Sequence, residues 1–454
     1  MESVRKEKNL SHKKTKKLPK PSLFLLLLLT IIFVILNTIF LPAGMPTIPL
    51  MIGGARLFIQ DTLFLLLMVS SVFYKLNNHP LAISSPISKY LVVFIGVVLF
   101  ESLYSIAGLG HPVFTVYNDV KTILYYLLFF PVIWCFGSEK GVDRIIKLWV
   151  GLAIFGAVFY IYQFIFGELA IFDKYDWLYS HSLNVETGGT SSVKVDFQRL
   201  IMQGTVIFRI MLFVAFCMWL FNKGASRKWW GVLAFLLAVQ VALQFTRGMY
   251  MTTFMALLVM PFIVRDTLVR RKIIAVFLYA AIVIGFVVIY KAVFSSGSSG
   301  SYSLIEFIGE RLLNAVTQSS SDSSIEGRMQ GASYIFQLID NRGSWIYGLG
   351  FGTGIVYGDS TYVSILMKMG WVGMTAFLLL MIRSLWHAFR NYRYLVEPKQ
   401  KALVMALMVS TGRHLVNGLT QSDFVDNTRV PALIVSIAII EIIIFRAKEQ
   451  RKLA

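Results

Sequence analysis

Apolar runs of about twenty residues recur along the whole chain, each closed by a polar or charged cluster, which is the spacing a bilayer's hydrocarbon core imposes on spanning helices. Spans are predicted at 22–41, 56–74, 90–108, 117–137, 145–166, 201–221, 229–246, 248–264, 273–293, 360–382, 402–418 and 431–446. Residues 229–264 form one uninterrupted apolar stretch. As a single helix it would be about 54 Å long against a hydrocarbon core of about 30 Å, so it must break near its middle. The polar cluster available there is Gln244, Thr246, Arg247 and Gly248, which places a tight turn at Thr246-Arg247-Gly248. The pattern predicts an all-α polytopic membrane protein with about twelve transmembrane helices.

Two polar intervals are too long to be simple turns. The first, 167–200, is acidic and aromatic (Asp173, Asp176, Trp177, Glu186) and then rich in Gly, Ser and Thr. The second, 294–359, opens on a flexible Ser/Gly run. Two amphipathic helices are expected in it, one carrying Leu304, Ile308, Leu312 and Val316 and one carrying Met329, Ala332, Phe336 and Ile339. The chain divides into a basic tail (1–21), nine spans (22–293), the large loop (294–359), three spans (360–446) and a short tail (447–454).

Composition agrees with the pattern: 56% of residues are hydrophobic and 15% charged, against about a quarter charged in soluble domains. The net charge of +19 would suggest nucleic acid in a soluble protein. Here the basic residues cluster in the tails and in alternate loops, at Arg5 to Lys20, Lys140 to Lys147, Lys223 to Lys228, Arg265 to Lys272, Arg383 to Lys401 and Arg446 to Lys452. This is the positive-inside bias. It places both termini in the cytoplasm and the two long loops outside, and it leaves no fold to present basic loops to nucleic acid. Cys135 and Cys217 sit inside apolar runs, which argues against a disulfide framework. The N-terminal basic and apolar sequence is read as an uncleaved first span.

Charges inside a membrane are costly and default to functional hypotheses, although Lys291 and Arg56 fit snorkelling at span ends. Several arginines fall on the outer side, against the bias: Arg247 at the tight turn, Arg199 and Arg209 around the start of the sixth span, Arg311 and Arg328 in the large loop, and Arg413 beside His414. A planar guanidinium fork suits phosphate, and several together suit pyrophosphate. The plainer alternative is pairing with Asp322, Glu326 or Asp423. Further on, Tyr347 to Gly354 is glycine-rich and precedes Asp359-Ser-Thr-Tyr362 at the mouth of a span. There Asp359 can serve as a helix cap or as a carboxylate at the membrane surface. No cofactor is called for. The loop 42–54 contains no acid, and no metal site is evident.

In these pieces the chain resembles the O-antigen ligase and Wzy-type polysaccharide polymerase superfamily. Phe245-Thr-Arg-Gly-Met249 is similar to the family's turn between mid-chain spans. Ser324-Ile-Glu-Gly-Arg328, the helix through Ile339, Gly348-Leu-Gly-Phe-Gly352, Asp359-Ser-Thr-Tyr362 and Gly370-Trp-Val-Gly373 follow the family's order. The ligases commonly have His where this chain has Asp359, which favours a polymerase. The resemblance implies a membrane glycosyltransferase of capsule, exopolysaccharide or O-antigen biosynthesis. It would sit in the bacterial cytoplasmic membrane and act on its external side without a metal. Its substrate would be an oligosaccharide linked to undecaprenyl pyrophosphate, and a flippase and chain-length regulator would share the pathway. In that frame Arg247 and Arg328 hold the departing pyrophosphate, with Arg311 and Arg199 as further contacts. Asp359 is the base, and Arg209, Arg413 and His414 are secondary candidates. The rival readings are transfer of finished polysaccharide to another acceptor, a lipid-oligosaccharide flippase, and a scaffold without chemistry.

Overall fold

The computed structural model describes residues 59–78, 85–166, 205–244, 247–279 except 265, 323–426 except 356, and 429–453, with short strand pieces between 50 and 57 and between 179 and 200. The expected first span, the end of the ninth, and the amphipathic segment 304–316 lie outside these residues.

The described chain is overwhelmingly helical. A small antiparallel hairpin, β1 (Leu50–Ile52) with β2 (Ala55–Leu57), leads into α1 (Ile59–Asn78). Then come α2 (Pro86–Ala107), α3 (Val113–Leu124), a 3₁₀ turn (Tyr125–Leu128), α4 (Phe129–Phe136) and α5 (Glu139–Phe166). Two-residue strands β3 to β6 between Tyr179 and Leu200 pair as two further antiparallel ladders. They are followed by α6 (Thr205–Phe221), α7 (Gly224–Ala242) and α8 (Arg247–Ile263), and residues 267–279 are again helical. The chain closes with α9 (Ser323–Asn341), α10 (Thr361–Tyr392), α11 (Pro398–Asn417) and α12 (Val430–Leu453).

Among the described residues five helical segments are long and apolar enough to cross a membrane: Pro86–Ala107, Val113–Phe136, Glu139–Tyr162, Thr361–Tyr392 and Val430–Lys452. Val206–Phe221 and Gly248–Ile263 are apolar but shorter. Large apolar side chains such as Val92, Phe100, Leu103, Phe235, Phe254 and Phe262 point outward, as they do where lipid is the solvent. The 229–264 stretch breaks near its middle, as its length requires, but not at the residues expected: α7 ends at Ala242, Leu243 and Gln244 turn, and Arg247 and Gly248, placed in the turn by the sequence, already form the first residues of α8.

α12 is apolar on nearly every face and is buried accordingly. α11 packs against α6, α8 and α12, α10 packs on α2, and α7 lies between α5 and α6. An aromatic chain ties this core to the segment 418–429. Phe94 meets Tyr126 and Phe377 at 5.2 and 6.1 Å between ring centroids, Phe377 meets Phe424 at 5.4 Å, and the Tyr126 hydroxyl donates to the Phe424 carbonyl at 3.0 Å.

The sequence predicts an uninterrupted span at 360–382, but α10 is broken. Gly370 has φ 54° and ψ −157°, so Thr361–Met369 and Trp371–Tyr392 are two helices in series. The glycine-rich loop supplies what the break removes. Leu349 N–H donates to Met367 O at 2.6 Å, while Trp371 and Val372 N–H donate to Trp345 O and Ile346 O at 2.9 and 3.2 Å. Backbone groups freed from a helix at membrane depth need partners of this kind. The contact is backbone against backbone: a Cβ on Gly348 would stand 2.6 Å from Met367 O, and one on Gly370 would overlap Ile346 O.

Candidate functional site

The first half of α10 is fixed at its start by the segment after α11. Thr361 N–H donates to the Gly418 and Gln421 carbonyls at 2.8 and 3.1 Å. The Ser360 and Thr361 hydroxyls donate to the same two carbonyls at 3.1 and 2.9 Å. Ser360, not Asp359, is the helix cap, its Oγ accepting from Val363 N–H at 3.4 Å. Asp359 is thereby left outside the cap. Its Oδ1 faces Arg328 Nε of α9 at 3.7 Å, with the two side chains 52% and 39% exposed. Among the described residues Arg328 thus faces the other residue singled out for chemistry, while Asp423 is taken by His414 and Arg429. Tyr357 braces the pair by donating from its hydroxyl to Arg328 O at 3.2 Å. Burial, helped by Asp359 and opposed by Arg328, raises the Tyr357 phenol above its usual range, which keeps it a donor.

The Thr-Arg-Gly turn approaches the same segment. Arg247 opens α8, and its side chain lies outside the described residues; Gly248 beside it has room for a Cβ 3.8 Å from Thr420 Oγ1. The α8 start, the Arg328–Asp359 pair and the end of α11 therefore converge on residues 418–424. Arg199 lies in β6 opposite Ser180, its side chain outside the described residues, and Arg311 lies outside them altogether.

Beneath this convergence is a buried charged cluster. His414 Nδ1–H donates to Asp423 Oδ2 at 2.6 Å, Asn417 donates to the same oxygen at 2.7 Å, and Arg429 Nη1 donates to Asp423 Oδ1 at 2.5 Å. Arg429 Nε also lies 3.4 Å from Asp426. Arg413 donates from Nε to Thr253 Oγ1 at 3.2 Å and from Nη1 to His414 Nε2 at 3.5 Å. Burial alone would raise the Asp423 carboxyl. The His414 hydrogen bond and the guanidinium groups of Arg429 and Arg209 outweigh it and hold the group well below the ordinary carboxylate range. Burial likewise opposes the Arg429 charge, but Asp423 and Asp426 more than offset it.

Arg209, Arg413 and His414 are each almost wholly buried, so these secondary candidates do not line the open surface. Arg209 Nε and Nη1 and Arg413 Nη2 have no hydrogen-bond acceptor among the described residues. Arg209, Arg413 and Arg429 face one fully buried carboxylate, Asp423, with Asp426 at the rim.

A second polar group was missed by the sequence reading. Asp119 of α3 takes Lys368 Nζ at 3.1 Å on one oxygen and Gly352 N–H at 2.9 Å on the other. His111 Nδ1–H donates to Phe351 O at 2.6 Å, and Phe351 N–H to Ser105 Oγ at 2.8 Å. Deeper, Asp61 joins Lys121 at 3.2 Å and the Tyr125 hydroxyl at 2.8 Å. The signal was present, since Asp119 and Lys121 are charges within the predicted span 117–137. These contacts clamp the glycine loop against α2, α3 and α10. Among the described residues no three His, Cys, Asp or Glu side chains gather as a metal site.

Comparison with protein-family models and with curated proteins finds no match.

Proposed function

We propose that the chain is a membrane glycosyltransferase of the polysaccharide polymerase type. It would transfer a glycan from a lipid pyrophosphate carrier to an acceptor sugar at the membrane surface where Asp359 stands. The observation that carries this reading is the pairing of Arg328 with Asp359 next to the 418–424 segment, which the Arg247 turn also approaches. A cation suited to a leaving diphosphate and a carboxylate suited to an incoming hydroxyl stand together, half-exposed.

The acceptor oxygen bonds to the anomeric carbon as the bond from that carbon to the pyrophosphate oxygen breaks. Arg328 exchanges Asp359 for the pyrophosphate, and Arg247 adds a second guanidinium as the negative charge grows. Asp359, released from Arg328, accepts the acceptor's proton. Arg209 and Arg413 act from beneath, through their field and by fixing the 418–424 segment. The large loop and the one-sided placement of the arginines favour a transferase over a flippase, whose site would lie centrally between equivalent halves.

The test is a reconstituted assay with lipid-pyrophosphate-linked oligosaccharide supplied to the Asp359 face. A ladder of elongated products without an ion gradient is expected from the wild type. Arg247→Ala and Asp359→Asn should each lower its formation by about 10²-fold or more, and Arg247→Lys nearly as much, because a point charge cannot make the bidentate contact. Full-length polymer from Arg247→Ala would remove the assignment, and gradient-dependent movement without elongation would replace it with transport.

A further inference from the structure

The far end of α10 carries a different cavity. Arg383 and Arg390 of α10 and Lys448, Arg451 and Lys452 of α12 line a space of about 490 Å³, with Trp386 and Tyr394 on its walls. Its size is that of an ordinary small-ligand site. None of these five cations has an ion-pair partner among the described residues. Glu441, whose charge Arg383 and Lys448 both feel, is no part of the lining: it is buried, with His387 Nε2 3.6 Å away, and accepts from the Ser85 hydroxyl at 2.7 Å. Arg383 rests near the Tyr90 ring at 5.8 Å and Arg451 near the Tyr394 ring at 5.3 Å, contacts that leave guanidinium donors unused.

An excess of basic residues at one end of a membrane bundle is ordinary, so the decisive comparison is with the neighbouring cavity at the same end. That cavity is lined by Glu139, Asp143, Lys399, Gln400 and Arg446 among others. There carboxylates stand among the cations: Glu139, Asp143 and Glu397 all line it, Lys399 pairs with Asp143 at 2.6 Å, the Gln400 amide donates to Glu139 at 3.3 Å, and Arg446 pairs with Glu449 at 2.9 Å. Only the first cavity gathers cations without carboxylates, and repulsion among them needs an anion to offset it. Exposed Trp386, tilted against Phe389 at 6.1 Å between centroids, fits the headgroup level, where such rings reside. Three guanidinium forks with two ammonium groups among them suit phosphate oxygens.

We propose that this cavity is a binding site for a phosphate-bearing anion, drawn either from the headgroup of an acidic phospholipid or from a free phosphate ester. It is lined by the half of α10 beyond the Gly370 break and shares no residue with the Arg328–Asp359 pair. Purified full-length protein in neutral detergent would be titrated with phosphatidylglycerol, with phosphatidylcholine of the same acyl chains, and with inorganic pyrophosphate, following the unfolding temperature. Stabilisation by phosphatidylglycerol alone identifies a lipid headgroup. Stabilisation by pyrophosphate as well, or instead, shows that phosphate itself suffices. In either case Arg383→Gln/Lys448→Gln should weaken half-saturation at least tenfold, and Lys399→Gln, in the matched cavity, should leave it unchanged. If the double variant does not fold, Arg390→Gln/Arg451→Gln, on exposed side chains, should still show a loss of threefold or more. The proposal is overturned if neither anion stabilises the wild type beyond phosphatidylcholine, or if the variants bind as the wild type does.

Discussion

Asp423 and Asp359 are two carboxylates a short distance apart along one assembly, and burial gives them opposite duties. Asp423 is fully buried and held by His414, Asn417 and Arg429. Removing its charge strands three guanidinium groups, so Asp423→Asn is expected to cost about 3–5 kcal/mol, read as a large drop in unfolding temperature. Because the folded-state pKa of Asp423 is depressed, its contribution is complete above the unfolded value of about 3.9 and is lost only as pH falls through the lower folded value. Wild-type stability owed to this group should therefore be level between pH 7 and pH 5 and decline only in stronger acid, a decline that Asp423→Asn should lack. The Arg328–Asp359 pair is exposed, and such pairs contribute about 0–1 kcal/mol. Asp359→Asn and Arg328→Ala should leave the unfolding temperature nearly unchanged while abolishing polymer formation. A stability loss matching that of Asp423→Asn would instead make the pair a structural strut.

Secondary structure was legible where periodicity and length both spoke. The turn between α7 and α8 followed from an apolar stretch too long for one helix, and the helix through Met329 and Ile339 followed from spacing. The break in α10 was not legible, because Gly370 sits in an apolar run that reads equally well as a continuous helix; only the partner loop Trp345–Leu349 shows why a positive φ is needed there. Arg328 and Asp359 could be chosen for their chemistry, but their mutual contact depends on Ser360 taking the cap and on α9 lying beside α10. The Asp119–Lys368 clamp is not legible either, because its two charges lie in separate predicted spans, 117–137 and 360–382, and only the packing of α3 against the glycine loop and α10 brings them together. Gly370→Ala tests the broken helix. A Cβ there would overlap the Ile346 carbonyl and strain a left-handed residue, so a loss of about 1–3 kcal/mol or more is expected, with faster proteolysis of the 344–354 loop. Gly327→Ala, at an exposed helical position with open space around it, should instead stabilise by about 0.5–1 kcal/mol and leave proteolysis of that loop unchanged.

At the scale of the whole molecule, the two helices of α10 part company at Gly370: Asp359 precedes the first and the basic cavity is lined by the second. Single cysteines introduced at Gly358 and at Arg390 should label from opposite sides of a sealed membrane with an impermeant thiol reagent. Native Cys217 is buried and Cys135 half-buried, so background should be low. Labelling of both from one side would contradict the helix arrangement itself.

The hairpin of α7 and α8 has a bearing on the bilayer as well as on the protein. With 17 residues, α8 covers about 25 Å, short of a hydrocarbon core of about 30 Å. If α8 crosses the bilayer, lipids beside it can match it by thinning, which would lower the local headgroup plane by several ångströms. A long-chain carrier diffusing in from that flank would have its diphosphate drawn down toward Arg247 by the shape of the membrane before any guanidinium touched it.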